Sequence, residues 1–283
     1  MDTTYEKQGY LYDDFRMFHV KDHEKREFHF HYHDFYKILF FIKGKVTYNV
    51  EGKNYNLRPY DMVLISQGEI HKPDVSFDEP YERVIFYISK EWFKRYQTED
   101  YDMEYCFKRA LLEKKHVVRF SALENTAFMD IIKRIEEKAL GDSYASKLYG
   151  DALFLEFLIE LNRCCLDGRG SFEQLTSCNS KMIEIMDYIN SHLKERLDVE
   201  HLAEQFYISK YHMMRAFKKE TGYSVHQYIT EKRILLAKKL IDSGMSAGNA
   251  CLECGFRDYS AFSRAFKSRL AQPPTGNEKN DRV

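Results

Sequence analysis

The chain has 283 residues, 44% of them hydrophobic and 31% charged, and a formal net charge of -1. That length and apolar content suit two domains with buried cores. The longest apolar run, the five residues Ile38 to Ile42, falls far short of the roughly 18 to 20 that cross a bilayer, so no membrane is expected. Six cysteines, at 106, 164, 165, 178, 251 and 254, are too few and too irregular for a disulfide framework. With the start MDTTYE lacking a signal pattern, they predict reduced thiols in a cytoplasmic protein.

Residues 28 to 88 read as strands. KILFFI, KVTYNV, KNYNL, MVLIS and RVIFYI are short, rich in β-branched and aromatic residues, and separated by turn signals. In KVTYNVEGKNYNL, Val46, Tyr48 and Val50 alternate with polar residues before a hairpin turn at Glu51-Gly52-Lys53-Asn54. Strands so closely spaced predict a small barrel or two-sheet sandwich.

From about Glu91 the apolar period lengthens. Ile131, Ile132 and Ile135, then Leu148, Ala152, Leu155, Leu158 and Ile159, recur every three or four residues. They predict helices over about 123–140 and 145–166, with an apolar face for a second copy of the chain or for the barrel. LDGRGSFEQLTSCNS then loses periodicity, which places a linker at about 167–180. Beyond it, from Lys181 to Gln272, 15 Lys and Arg face 11 Asp and Glu, a balance of +4 that leaves -5 for the rest of the chain.

Within that basic part the tetrapeptide RAFK occurs twice, at 215–218 and 264–267. In the first copy Ser209 is a helix cap. Met213 and Phe217 point to a preceding helix bearing Val199, Leu202, Ala203 and Phe206, and Gly222 supplies the stop. Asp258, Phe262 and Phe266 repeat this arrangement, with Gly255 in the turn. Each unit is a helix-turn-helix with a cationic outer face: Lys210, Tyr211, Met214, Arg215 and Lys218 in the first; Tyr259, Ser260, Ala261, Ser263, Arg264 and Lys267 in the second. HQYITEKRILLAKKLID joins them as a rod of about 26 Å, fit to hold two heads near the roughly 34 Å major-groove repeat. Each Arg suits guanine and each Lys suits phosphate.

The run from LDVEHLAEQF to CGFRDYSAFSRAFK closely resembles the tandem helix-turn-helix domain of AraC/XylS-type transcriptional regulators. The resemblance implies base reading by Tyr211, Met214 and Arg215 and by Ser260, Ala261 and Arg264. The second unit departs from the pattern: Ala247 and Ala250 replace larger aliphatics, Ala271 replaces a glycine, and the PPTGNEKNDRV ending is atypical. FHFHYHDFYKILFFIKGKVTYNVEGKNYNLRPYDMVLISQGEIHKP looks like the cupin-type sensor of these proteins.

His31, His33 and His71 overlay the cupin metal motif, but Lys37 stands where the carboxylate ligand belongs, and an ammonium repels a cation. No metal or other cofactor is therefore expected, Cys251-x-x-Cys254 lacks partners for zinc, and nothing forms a catalytic constellation. Lys37, His31, His33 and His71, with Tyr36 and Tyr48, are candidates to line a pocket for a polar, anionic or sugar-like effector. The sequence thus predicts an α+β multidomain regulator, not an enzyme. Residues 1–100 form a cupin-like β-barrel and 101–166 a helical dimerisation or packing segment. Residues 167–180 are the linker, 181–272 the all-α tandem helix-turn-helix domain, and 273–283 a tail. Its partners are double-stranded DNA, a small-molecule effector, a second copy in a homodimer, and RNA polymerase. An effector-independent dimeric DNA-binding protein and a metal-dependent cupin enzyme are the alternatives.

Overall fold

The computed structural model describes residue 11 and residues 14–138, 144–270 and 272–274. Expectations for the acidic start, the residues 139–143 between the two helices read from sequence, Ala271 and the segment from 275 onward fall outside them.

The first half is built from two antiparallel sheets. One has six strands in the order β1 (Phe15–Asp22), β7 (Tyr81–Ile88), β2 (Tyr36–Lys43), β5 (Met62–Ile65), β8 (Val117–Arg119), β9 (Ser171–Phe172). The other has four, in the order β10 (Ser177–Cys178), β4 (Lys53–Asn56), β3 (Lys45–Val50), β6 (His71–Ser76). The hairpin β3–β4 turns on Glu51 and Gly52, both at positive φ (47° and 74°), as a two-residue turn matching the strand twist requires. Lys53 and Asn54, read from sequence as part of the turn, belong to β4.

Alternation along β2 sorts its side chains. Leu39 and Phe41 pack between the sheets with Val46, Tyr48, Val50, Tyr55, Val63, Ile65, Tyr81 and Ile85. Ile38 and Phe40 face the opposite way, toward helices α1 (Lys90–Tyr96), α2 (Tyr105–Glu113), α3 (Ala122–Lys138) and α4 (Ser146–Asp167). Both faces of the strand are buried, which is why KILFFI reads as continuously apolar.

Packing on the sheet accounts for Ile131, Ile132 and Ile135 of α3 and for Leu153, Phe154, Phe157, Leu158 and Leu161 of α4. Leu148 and Ile159, grouped by sequence with Leu158, are instead 70% and 39% exposed. The reason is geometric: a helix of 22 residues carries two apolar stripes, and only one can meet the sheet. The 167–180 segment is not a free tether either. Its β9 pairs with β8 and its β10 with β4, so it is stitched to both sheets.

The second half contains α5 (Ser180–Ser191), α6 (Val199–Gln205), α7 (Lys210–Thr221), α8 (Val225–Asp242), α9 (Ala247–Glu253) and α10 (Tyr259–Leu270). Caps fix most of their starts: Asp198 for α6, Ser209 for α7 and Ser246 for α9, with a reciprocal Ser224–Gln227 capping box for α8. Asp258 accepts from the Ala261 N–H at 2.6 Å at the start of α10. Met213 and Phe217 lie in a core shared by α5, α6, α7 and the start of α8. Phe262 and Phe266 close a separate core with Ile234, Ala237, Ala250, Cys251 and Cys254.

Candidate nucleic-acid interface and polar interior

α7 and α10 present matched outer faces. Tyr211, Met214, Arg215 and Lys218 are exposed on α7, and Tyr259, Ser260, Arg264 and Lys267 on α10, whereas Ala261 and Ser263 are half-buried. Arg215, Lys218, Arg264 and Lys267 make no hydrogen bond or ion pair with any described residue, so they meet an incoming anion without first losing a partner. Lys210 differs: it is held in an ion pair with Glu200 of α6. The turns before these helices use the left-handed conformation twice, at Tyr207 (φ 51°) and Gly255 (φ 80°). At Gly255 a Cβ would stand 2.3 Å from the Leu193 carbonyl oxygen, so glycine is required there.

The second constellation lies between the sheets. Lys37 Nζ donates to the Tyr48 hydroxyl at 3.1 Å and to His71 Nε2 at 3.4 Å. The His31 and His33 rings stand 4.3 and 4.8 Å from that of His71. Each histidine directs Nδ1 at a backbone carbonyl: His31 to His29 (2.9 Å), His33 to Phe35 (2.8 Å), His71 to Glu69 (2.9 Å). A carbonyl only accepts, so Nδ1 carries the proton in all three rings. Burial, with Lys37 adding to it, takes His31 down to about 4. Burial, with His31, Lys37 and His33 close by adding to it, holds His71 well below the ordinary histidine range. Burial, helped by Arg83, pulls Lys37 down to about 7. Among the described residues no group of three or more His, Cys, Asp or Glu is placed to hold a metal ion.

Tyr36 is not part of this cluster. It neighbours Lys37 on a strand, and therefore points to the other face, where it packs edge-on against Phe93 and Phe107. Arg83, absent from the sequence expectation, is 6% exposed, pairs with Asp22 at 2.7 Å and covers the Tyr81 ring at 4.0 Å. Alternation within YERVIFYI, which puts Tyr81, Arg83, Ile85 and Tyr87 on one face, was the available signal.

The halves meet along α8. The Tyr32 hydroxyl donates to Glu231 at 2.8 Å, and Arg269 of α10 pairs with the same carboxylate. Tyr228 donates to Glu51 at 2.8 Å, and Lys232 bridges Glu51 (2.7 Å) and the Gly68 carbonyl (3.0 Å). Phe30 closes over Gly222, where a Cβ would meet it at 2.7 Å. Tyr32 sits between His31 and His33, so one short segment is both a wall of the polar interior and a contact to the helical half. A carboxylate on the buried stripe of α8, Tyr228–Glu231–Ile234, was the sequence sign that something would meet it.

A sheet domain with a polar interior, joined to two capped helix-turn-helix units with cationic outer faces, is the architecture of a DNA-binding regulator with a ligand-binding domain. Residues 18–158 match the family of AraC-like ligand binding domains, and residues 202–279 match a helix-turn-helix domain family. The chain belongs to the AraC family of transcriptional regulators. It is 26% identical over 234 residues to the uncharacterized HTH-type transcriptional regulator YbfI of Bacillus subtilis, covering 81% of this chain and 79% of that one. It is 35% identical over 91 residues to the multiple antibiotic resistance protein MarA of Escherichia coli, covering 32% of this chain and 72% of MarA. The structure of ToxT from Vibrio cholerae aligns over 93% of this chain and 97% of its own, at 13% identity and a TM-score of 0.36. No helix among the described residues is long and apolar enough to cross a membrane.

Proposed function

We propose that the chain reads a specific operator with α7 and α10 and adjusts that reading when a small polar effector enters the interior around Lys37. Regulation, with no catalytic step, is the whole of the reading. The observation that carries it is the pair of matched recognition faces whose four cations hold no intramolecular partner among the described residues. Tyr211, Met214 and Arg215, with Ser260, Ala261 and Arg264, are assigned to bases, and Lys218 and Lys267 to phosphates. Selecting bound fragments from a random DNA pool, then titrating the winner at fixed salt, tests this. An enriched motif is expected, and uniform binding of all fragments would remove the sequence-specific reading.

The effector reading is supported by the interior chemistry: ammonium and phenol donors beside imidazole acceptors, which suit hydroxyl and oxyanion groups. The interior wall also contains the segment that touches α8, so a ligand that binds one arrangement better than the other shifts the equilibrium. Thermal unfolding across sugars and sugar acids is the test. A ligand at 100 times its Kd adds about 2.7 kcal/mol, and a loss of that gain in Lys37→Met assigns it to this interior.

A homodimer is the assembly we favour, with α4 as its seam. Leu148, Ala152, Leu155, Ile159 and Leu166 follow one another at intervals of four, three, four and seven residues, the a/d spacing of a coiled coil. Leu148, Ile159 and Leu166 are exposed, at 70%, 39% and 61%. Sedimentation equilibrium should show a dimer for the parent and a monomer for Leu148→Glu/Ile159→Glu. RNA polymerase remains the further partner for an activator.

A further inference from the structure

A second chamber lies where the β3–β4 hairpin, the end of α2, α5 and α8 converge, with a volume of about 310 Å³. It is distinct from the interior around Lys37, which contributes nothing to its lining. Three lysines and three carboxylates line it, but they do not pair off. Glu51 takes Lys232 at 2.7 Å together with the Tyr228 hydroxyl and the Ile70 N–H. Asp187 takes Lys114 at 2.5 Å. Glu69 is occupied by His116 at 2.8 Å and the Ser66 N–H at 2.6 Å. With the third carboxylate committed to a histidine, Lys53 is left over. It is 7% exposed and lines the chamber, and its ammonium makes no hydrogen bond or ion pair with any described residue.

Most of the Lys53 side chain is buried while its ammonium opens on the chamber, so what enters the chamber is what completes it. Burial draws Lys53 below the ordinary lysine range in spite of Asp187, Glu51 and Glu69 nearby. Each carboxylate already accepts from another donor, and the Lys53 ammonium is the one charged group of the lining left without a direct partner among the described residues. At this volume the chamber exceeds the room a few waters need and reaches the lower end of small-molecule sites.

We infer that the chamber is a binding site for a small oxyanion, a carboxylate or phosphate group received by the Lys53 ammonium between Lys114 and Lys232. Its walls come from both halves of the chain, so an occupant braces the hairpin against α5 and α8. This inference does not depend on an effector near Lys37.

The test uses the full-length protein at constant ionic strength, with chloride as the balancing anion, and measures binding by calorimetry and thermal unfolding. Sodium phosphate is one arm and sodium succinate the other. One of the two should bind saturably and raise Tm; which one does so tells a phosphate from a carboxylate site. Lys53→Met should weaken that binding at least tenfold, Lys53→Arg should largely restore it, and Lys37→Met should leave it unchanged. Lys53→Met removes a charge that has no protein partner among the described residues, so it should fold, and circular dichroism verifies this. The inference is overturned if neither anion binds beyond chloride, if Lys53→Met binds as the parent does, or if Lys37→Met abolishes binding while Lys53→Met does not.

Discussion

The two helix-turn-helix units share a motif and differ in what supports it. The first has a core of 15 buried residues among those described. It draws on α5, α6, α7 and α8 and includes Tyr32 and Ile70 from the sheet domain. The second has seven, and three of them are Ala237, Ala250 and Cys251. A unit that buries small side chains gains less apolar transfer energy, about 0.8 kcal/mol for each missing methylene. The first unit is therefore anchored to the sheet domain, while the second leans mainly on α8.

The largest effects should come from the cores themselves. Phe217→Ala and Phe266→Ala each remove a buried ring, a change that costs about 3–5 kcal/mol. They should act differently. Phe217→Ala should lower the stability of the first unit together with its contacts to the sheet domain. Phe266→Ala should cost the second unit its cooperativity on its own: amide exchange should speed up across α9 and α10 while β2, β3 and β7 stay protected. Equal exchange in both halves of either variant would erase the distinction.

Next in size is Gly255→Ala. It puts a Cβ 2.3 Å from the Leu193 carbonyl oxygen at a φ of 80°, and strain of this kind costs about 1–3 kcal/mol. Thermal unfolding followed at α9 and α10 by exchange should show the loss there first. A parent-like melting profile would mean that the turn relaxes away from Leu193.

Reading of DNA sharpens the same contrast. Arg215→Ala should lose about 1–3 kcal/mol at the specific site and relax preference at one base position. Arg264→Ala should lose no more than that, because part of the second unit's contact energy goes into ordering it on the duplex. Lys218→Ala should weaken all sequences alike and reduce the salt slope by about one. Fluorescence titrations at two salt concentrations separate the three. A larger loss for Arg264→Ala than for Arg215→Ala would reverse the assignment of the anchored head.

The repeat makes this comparison legible in the sequence. Ser209, Met213, Phe217 and Gly222 each do the local job their type implies, and local jobs leave local signatures. Strands β2 to β5 and β7 were legible for the same reason. β1 and β6 were not: β1 sits at an edge with four of its eight side chains exposed, and Pro73, which an edge strand such as β6 tolerates, breaks the strand signal in the sequence. The polar interior was half legible. His31, His33, Lys37, Tyr48 and His71 come together, but the two-residue alternation of β2 sends Tyr36, beside Lys37, to the other face. Contacts such as Tyr32–Glu231 and Glu51–Lys232 join residues 199 and 181 positions apart, and no periodicity within either segment encodes a partner that distant.

The smallest expected effect is a repair. Gly248 lies in the first turn of α9, where a Cβ would meet nothing within 4 Å and no positive φ is required. Glycine in a helix costs roughly 0.5–1 kcal/mol relative to alanine, because the unfolded chain loses more freedom on ordering. Gly248→Ala should therefore stabilise the second unit by that amount, slow exchange in α9 and α10, and leave the first unit and the sheet domain unchanged. It should also tighten specific DNA binding slightly, since the second head would arrive already ordered. The gain should be larger in a Phe266→Leu background than in the parent, because only a unit near its own unfolding threshold converts a fraction of a kcal/mol into a visible change in population. If Gly248→Ala left exchange in α9 and α10 unaltered while Phe266→Ala accelerated it, the marginality of the second unit would lie in its core packing alone and not in the intrinsic cost of forming α9.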